Sequence, residues 1–118
     1  MTKKILLIDD NLELCNGLAD LFRDEGYLVD NTSNNEKGIG LIRENKYDIC
    51  VFDYKMKGLN GIDFLKLIKD VNSECAVFIV SGKPGIDELI KEENVENLVA
   101  GVIGKPFDIP LLMQKIKG

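Results

Sequence analysis

Ile49-Cys50-Val51-Phe52-Asp53 is an apolar run closed by a carboxylate, and the way its neighbours repeat that form decides the fold. An earlier run, Ile5-Leu6-Leu7-Ile8, closes in the acidic pair Asp9-Asp10. Two later runs, Val77-Phe78-Ile79-Val80 and Val99 to Ile103, end near Ser81 and Lys105-Pro106. Amphipathic segments separate the runs, so strands and helices alternate along the chain. Strands this uniformly apolar are covered on both faces, which predicts a parallel sheet with helices on each side. The polar groups then collect at the C-terminal edge of the sheet, where open α/β sheets bind ligands.

Working outward, the pattern predicts strands at 4–9, 27–32, 48–53, 76–80 and 99–103. A first helix is expected over 11–25, with Leu14, Leu18, Leu21 and Phe22 on its apolar face and Gly26 as its stop. Ser33-Asn34-Asn35-Glu36 reads as a capping box opening a second helix to about 45. The third covers 62–71 with Phe64, Leu65, Ile68 and Val71 as its stripe, the fourth 86–94, and the fifth begins after Asp108. Five βα units without repeat or linker fill residues 1–118, which are expected to form one domain. The flavodoxin-like strand order 2-1-3-4-5 sets Asp9-Asp10 and Asp53 on neighbouring strands flanking the topological switch point, with Ser81 and Lys105 arriving from strands 4 and 5.

Composition narrows the chemistry. A net charge of -5 and a pI near 4.7 argue against direct nucleic-acid binding, which needs a basic stripe. No apolar stretch approaches the roughly 20 residues of a membrane span, and nothing signals export. Cys15, Cys50 and Cys75 lie in or beside apolar runs without CxxC spacing, as expected of reduced core residues in a cytoplasmic protein. The absence of histidine removes Ser-His and Cys-His catalysis and most zinc sites. A metal bound here is therefore a hard, oxygen-liganded ion.

Carboxylates gathered at one edge repel, by about 4 kcal/mol per pair at about 4 Å and an effective dielectric near 20. Full ionisation then calls for a cation, and Mg²⁺, with Mn²⁺ as an alternative, suits a site of few carboxylates and several waters. A carboxylate oxygen can also attack phosphorus, while a lysine and a hydroxyl neutralise charge on the transferring group. Each residue has a plainer reading on its own: Asp10 as the N-cap of helix 1, Asp53 as a turn residue, Ser81 as another cap, Lys105 as a solvated lysine.

Taken together and in order, the motifs resemble the receiver domain of two-component response regulators along essentially the whole chain. They are Asp9-Asp10, Asp53-x-x-Met56 with Gly61 beyond it, Ser81-Gly82, and Gly104-Lys105-Pro106-Phe107. The resemblance implies a phosphoacceptor module, not an enzyme, in which Asp53 takes a phosphoryl group from a sensor histidine kinase, a phosphotransfer protein or a small acyl phosphate. It further implies Mg²⁺ on Asp10, Asp53 and the Lys55 backbone carbonyl, with Asp9 acting mostly through water. Ser81 and Lys105 would contact phosphoryl oxygens, and the Lys105–Pro106 bond would be cis. The face of helix 4, strand 5 and helix 5 would serve homodimers or effectors.

Three positions depart from that family's pattern. Val102 stands where a Tyr or Phe usually couples to the movement of the Ser81 position, and valine has no ring to bury. Lys57 replaces a proline common after Met56, which should loosen that loop. The stretch from Ser81 to Lys105 is slightly long, so helix 4 or its exit loop should carry a small insertion. Lys55 and Lys83, two residues after Asp53 and Ser81, flank the phosphoryl position and are expected to prolong its lifetime by hindering water.

Three other readings compete. A receiver that only binds partners would keep the pocket but lose switching, as Val102 allows. A haloacid-dehalogenase-like phosphatase needs a second Asp two residues after the nucleophile, where this chain has Lys55. A flavin module needs a phosphate loop after strand 1, where Asp9-Asp10 would repel phosphate. The sequence ends at Gly118 after helix 5, which fits a stand-alone regulator or one part of a longer protein.

Overall fold

The computed structural model describes residues 2–106 and 108–118; Met1 and Phe107, the last residue of the Gly104 to Phe107 motif, lie outside the described residues. Five strands, β1 (Lys4–Ile8), β2 (Leu28–Thr32), β3 (Ile49–Asp53), β4 (Ala76–Ser81) and β5 (Gly101–Gly104), pair in parallel in the order β2-β1-β3-β4-β5. Between and after them come α1 (Leu12–Asp24), α2 (Asn35–Glu44), α3 (Gly61–Val71), α4 (Ile86–Glu92) and α5 (Ile109–Lys117). This is the flavodoxin-like α/β arrangement that the alternating runs predict.

Side chains alternate across each strand, so one apolar run feeds two cores. Leu6, Ile8, Cys50, Phe52, Val77 and Ile79 pack against Ile42, Phe64, Leu65, Ile68, Ile86 and Ile90 of α2, α3 and α4. Ile5, Leu7, Ile49, Val51, Phe78 and Val80 meet Cys15, Leu18, Ala19, Phe22, Leu112 and Ile116 of α1 and α5. Burial on both faces explains why β1, β3 and β4 read as unbroken apolar segments. Since every helix follows a strand, the helix N-termini gather at the edge where the strands end.

The caps differ in detail from the pattern-based expectation. Asn11, not Asp10, caps α1, accepting from the Leu14 N–H at 3.0 Å. The Ser33 capping box does not form: Thr32 Oγ1 accepts from the Asn34 N–H, and Asn34 becomes the cap of α2 through the Lys37 N–H. A reciprocal box does form at α3, where Asn60 Oδ1 accepts from the Asp63 N–H and Asp63 Oδ2 from the Asn60 N–H, both at 2.9 Å. Asp108 caps α5 as expected. Leu21 and Val71 are exposed, one on the flank of α1 and the other at the last position of α3. Helix α4 stops at Glu92, leaving residues 93–100 as its exit loop, in which Asn94 takes a left-handed φ of 57°.

Gly61 opens α3 directly beneath the strand end: a Cβ there would lie 2.8 Å from the Asp53 carbonyl oxygen and 3.0 Å from Tyr54 Cα. Both obstacles are backbone, so any side chain must push the Asp53 loop away. Gly40, inside α2, has open space at the same position. Gly61→Ala is expected to lower stability by about 1–3 kcal/mol. Gly40→Ala should raise it by about 1 kcal/mol through helix propensity. Urea denaturation of the two variants measures both signs.

Candidate functional site

The register sets β1 and β3 side by side, with Ile8 opposite Phe52, so Asp9 and Asp53 emerge at the same level of the sheet edge. Both are buried, as is Ser81 at the end of β4. From beyond β5, Lys105 sends its ammonium between the two carboxylates, 3.2 Å from Asp9 Oδ2 and 3.1 Å from Asp53 Oδ2. To get there its side chain crosses the end of β4. A Cβ on Gly82 would lie 3.4 Å from Lys105 Cβ, so a larger residue there would crowd that path. The Lys105 N–H donates to the Ser81 carbonyl at 3.1 Å, and the Lys105–Pro106 peptide bond is cis.

Asp10 takes a different direction. It is exposed, and its Oδ2 accepts from the Lys57 N–H at 3.1 Å. The Lys57 carbonyl in turn accepts from Asn35 Nδ2 at the start of α2. The loosening expected of Lys57 is thus opposed by ties on both of its backbone groups, and a proline could not supply the N–H that Asp10 uses. The structure joins the side chains of Asp9, Asp53 and Lys105, ties Ser81 to them through its carbonyl and the Lys105 N–H, and leaves Asp10 against the neighbouring loop. Among the described residues, no three His, Cys, Asp or Glu side chains converge as a metal cluster.

Lys55 and Lys83 are exposed, and with Tyr54 they border a pocket beside Asp53. Lys83 Nζ stands 5.6 Å from the Tyr54 ring centre, a cation–π distance. The Lys83 N–H donates to Ser81 Oγ at 2.9 Å. Val102 is half-buried on β5, packed against the core and facing Asp87, Ile90, Lys91 and Val99 across a shallow groove.

Burial and the nearby Asp9 charge push the Asp53 carboxyl above its ordinary value of 3.8, against the opposing pull of Lys105 and the Lys55 N–H. Burial alone would lower Lys105, but its bonds and attractions to Asp53 and Asp9 raise it instead. One ammonium therefore leaves the pair of carboxylates under-neutralised. The donor set available at this edge, carboxylates and carbonyls without nitrogen or sulfur, fits a hard divalent ion of the Mg²⁺ type. Sequence reasoning missed Asn11, whose N–H donates to Asp9 Oδ1 at 2.9 Å, and the Lys57 N–H, because backbone donors leave no mark in residue type.

The family model for the response regulator receiver domain matches residues 5–117. The chain is 26% identical over 117 residues to sporulation initiation phosphotransferase F of Bacillus subtilis, covering 99% of this chain and 93% of that protein. It is 31% identical over 111 residues to the transcriptional regulatory protein ZraR of Klebsiella oxytoca, covering 92% of this chain but only 24% of that relative's length. Its fold matches the response regulator TrrA of Thermotoga maritima, solved in complex with Mg²⁺–BeF, at a TM-score of 0.82 and 21% identity, covering 98% and 97% of the two chains.

A carboxyl with a raised pKa holds its proton longer in the folded chain than in the unfolded one. Between the ordinary value of 3.8 and the raised one the folded state binds more protons, so this residue's contribution to stability falls as pH rises. Asp53→Asn removes that cost. In metal-free buffer the variant is expected to have a higher urea midpoint than the parent at pH 7, and the gain should shrink as pH falls through 3.8 and vanish well below it, where both states carry a neutral carboxyl.

Proposed function

This chain belongs to the response regulator receiver domain family, phosphoacceptor modules of two-component signalling rather than true enzymes, and on that premise we propose that Asp53 is its phosphoryl acceptor. The observation that carries this reading is the buried Asp53 carboxylate at the strand edge, paired to Lys105 and set beside Asp9. Residues 1–118 act in this reading as a single receiver domain, in the cytoplasm. The phosphoryl donor is a histidine of a sensor kinase or phosphotransfer protein, or a small acyl phosphate.

Receiver domains typically bind Mg²⁺, and the under-neutralised carboxylates of this edge fit such an ion. Asp10, Asp53 and the Lys55 carbonyl would hold it, with Asp9 nearby, and Asp10 would first leave the Lys57 N–H. When bound, the ion supplies charge neutralisation to the carboxylates and to phosphoryl oxygens. An Asp53 oxygen attacks phosphorus, and the bond from phosphorus to the donor breaks. Lys105 passes from the Asp53 oxygen to a phosphoryl oxygen, so its ammonium stays paired throughout. Ser81 Oγ already accepts from the Lys83 N–H, and its own proton is directed to another phosphoryl oxygen. Output then runs through the α4–β5–α5 face, a candidate surface for homodimers or effectors.

Acetyl phosphate with Mg²⁺ is expected to add one phosphoryl group to the intact chain, read by mass spectrometry. Asp53→Asn should add none, and Lys105→Ala should slow the reaction by about 10²-fold or more, the scale on which a charge-stabilising donor counts. Mg²⁺ should stabilise the parent against urea but stabilise Asp53→Asn much less. Val102 supports a second reading, a receiver that binds partners without switching. In that case phosphorylation, or beryllofluoride with Mg²⁺, would leave the amide spectrum of α4 and β5 unchanged.

Lys55 and Lys83 border the space from which water would approach an Asp53 acyl phosphate. Lys55→Asn with Lys83→Ala is expected to shorten the phosphoryl lifetime severalfold, measured by its decay after removal of donor. An unchanged decay rate rejects a protective role for the two lysines.

A further inference from the structure

We propose that Cys50 and Cys75 form a redox-active dithiol that closes to an intramolecular disulfide when the protein meets a peroxide. Cys50 lies on β3 and Cys75 immediately precedes β4. In the parallel register Cys50 faces Val77, so Cys75, two residues earlier, meets it diagonally on the same side of the sheet. Their Sγ atoms are 3.2 Å apart, inside thiol–thiol hydrogen-bonding reach. A disulfide needs about 2.05 Å, a closure of roughly 1.2 Å. Cys15 sits in the other core, its Sγ near the carbonyls of Leu7 and Thr32.

The surroundings make the pair asymmetric. Lys69 Nζ donates to the Cys75 and Ser73 carbonyls, which brings an ammonium beside the two sulfurs. The hydrogen bond to Cys50, aided by Lys69, holds the Cys75 thiol below the ordinary cysteine range, while burial pushes Cys50 well up. Cys75, whose carbonyl holds the Lys69 ammonium and which adjoins the exposed turn, is the thiol placed to attack, with Cys50 placed to resolve. Both are buried, but Cys75 is covered by the short turn ending in the exposed Ser73 and Glu74, the point of entry for a small oxidant.

The Cys75 thiolate attacks one peroxide oxygen, the O–O bond breaks, and a sulfenic acid and hydroxide result. The Cys50 sulfur then attacks the Cys75 sulfur, the S–O bond breaks, and the departing hydroxide takes the Cys50 proton as water. In sum two thiols and one hydrogen peroxide give one disulfide and two waters, each sulfur losing one electron. The bond would tie the strands that end in Asp53 and Ser81 at their ends remote from the site.

The reduced full chain is treated with hydrogen peroxide, unfolded in the presence of N-ethylmaleimide, digested with trypsin and mapped by mass spectrometry. Cys15, Cys50 and Cys75 fall in separate tryptic peptides, so the linkage is read without any variant. The expected product lacks two hydrogens, joins the Cys50 and Cys75 peptides, and forms at least about tenfold faster in the folded chain than in urea, since the fold holds the thiols together. Cys15→Ser should behave as the parent, and Cys75→Ala should form no intramolecular bridge. Three alkylated cysteines after peroxide, a bridge that includes Cys15, or closure no faster than in urea would each overturn the proposal.

Discussion

Two carboxylates cannot stay ionised side by side on a buried sheet edge without a cation between them. Asp9 and Asp53 are brought to one level by the pairing of β1 with β3, and the Lys105 ammonium, within 3.2 Å of both, is what makes that tolerable. At an effective dielectric near 20, two like charges about 4 Å apart cost about 4 kcal/mol, a large share of what keeps a domain folded. The rest of the molecule serves that arrangement. Gly82 leaves the lysine a path across β4, and Gly61 lets α3 begin against the backbone of Asp53.

The same constraint explains where the chain is rigid. Burial of β1, β3 and β4 between two cores fixes the strand ends, so the acids cannot relax apart as charge builds. What remains adjustable is the exposed carboxylate of Asp10, which leans on the Lys57 N–H rather than on the central group. The exposed acid can turn without repacking the core.

Much of this was legible from residue order. Apolar runs ending in Asp9-Asp10, Asp53, Ser81 and Lys105 are a pattern of period and position, and the strand order follows from it. The details that escaped depend on geometry with no residue signature. Ser33 looked like a cap, but Thr32 took the Asn34 N–H and moved the helix start by one residue. Asn60 and Asp63 formed a reciprocal box that a search for Glu or Gln passes over. Leu21 and Val71 fit a helical stripe by spacing, yet a helix flank and a helix end lie outside the covered face. The thiol pair was invisible for the same reason: residues 50 and 75 meet only through the β3–β4 register.

The caps of α1, α2 and α3 have one further consequence. All three are asparagines, Asn11, Asn34 and Asn60. An aspartate would satisfy the same N–H groups but bring another negative charge to an edge already holding three acids. The amide satisfies them and stays neutral. The partial positive charge at each helix start, about half a unit, is therefore left uncancelled by its own cap. The first turns of the same helices already carry Glu13, Glu36 and Asp63, so the neutral caps spare each helix start a second negative charge beside the acids.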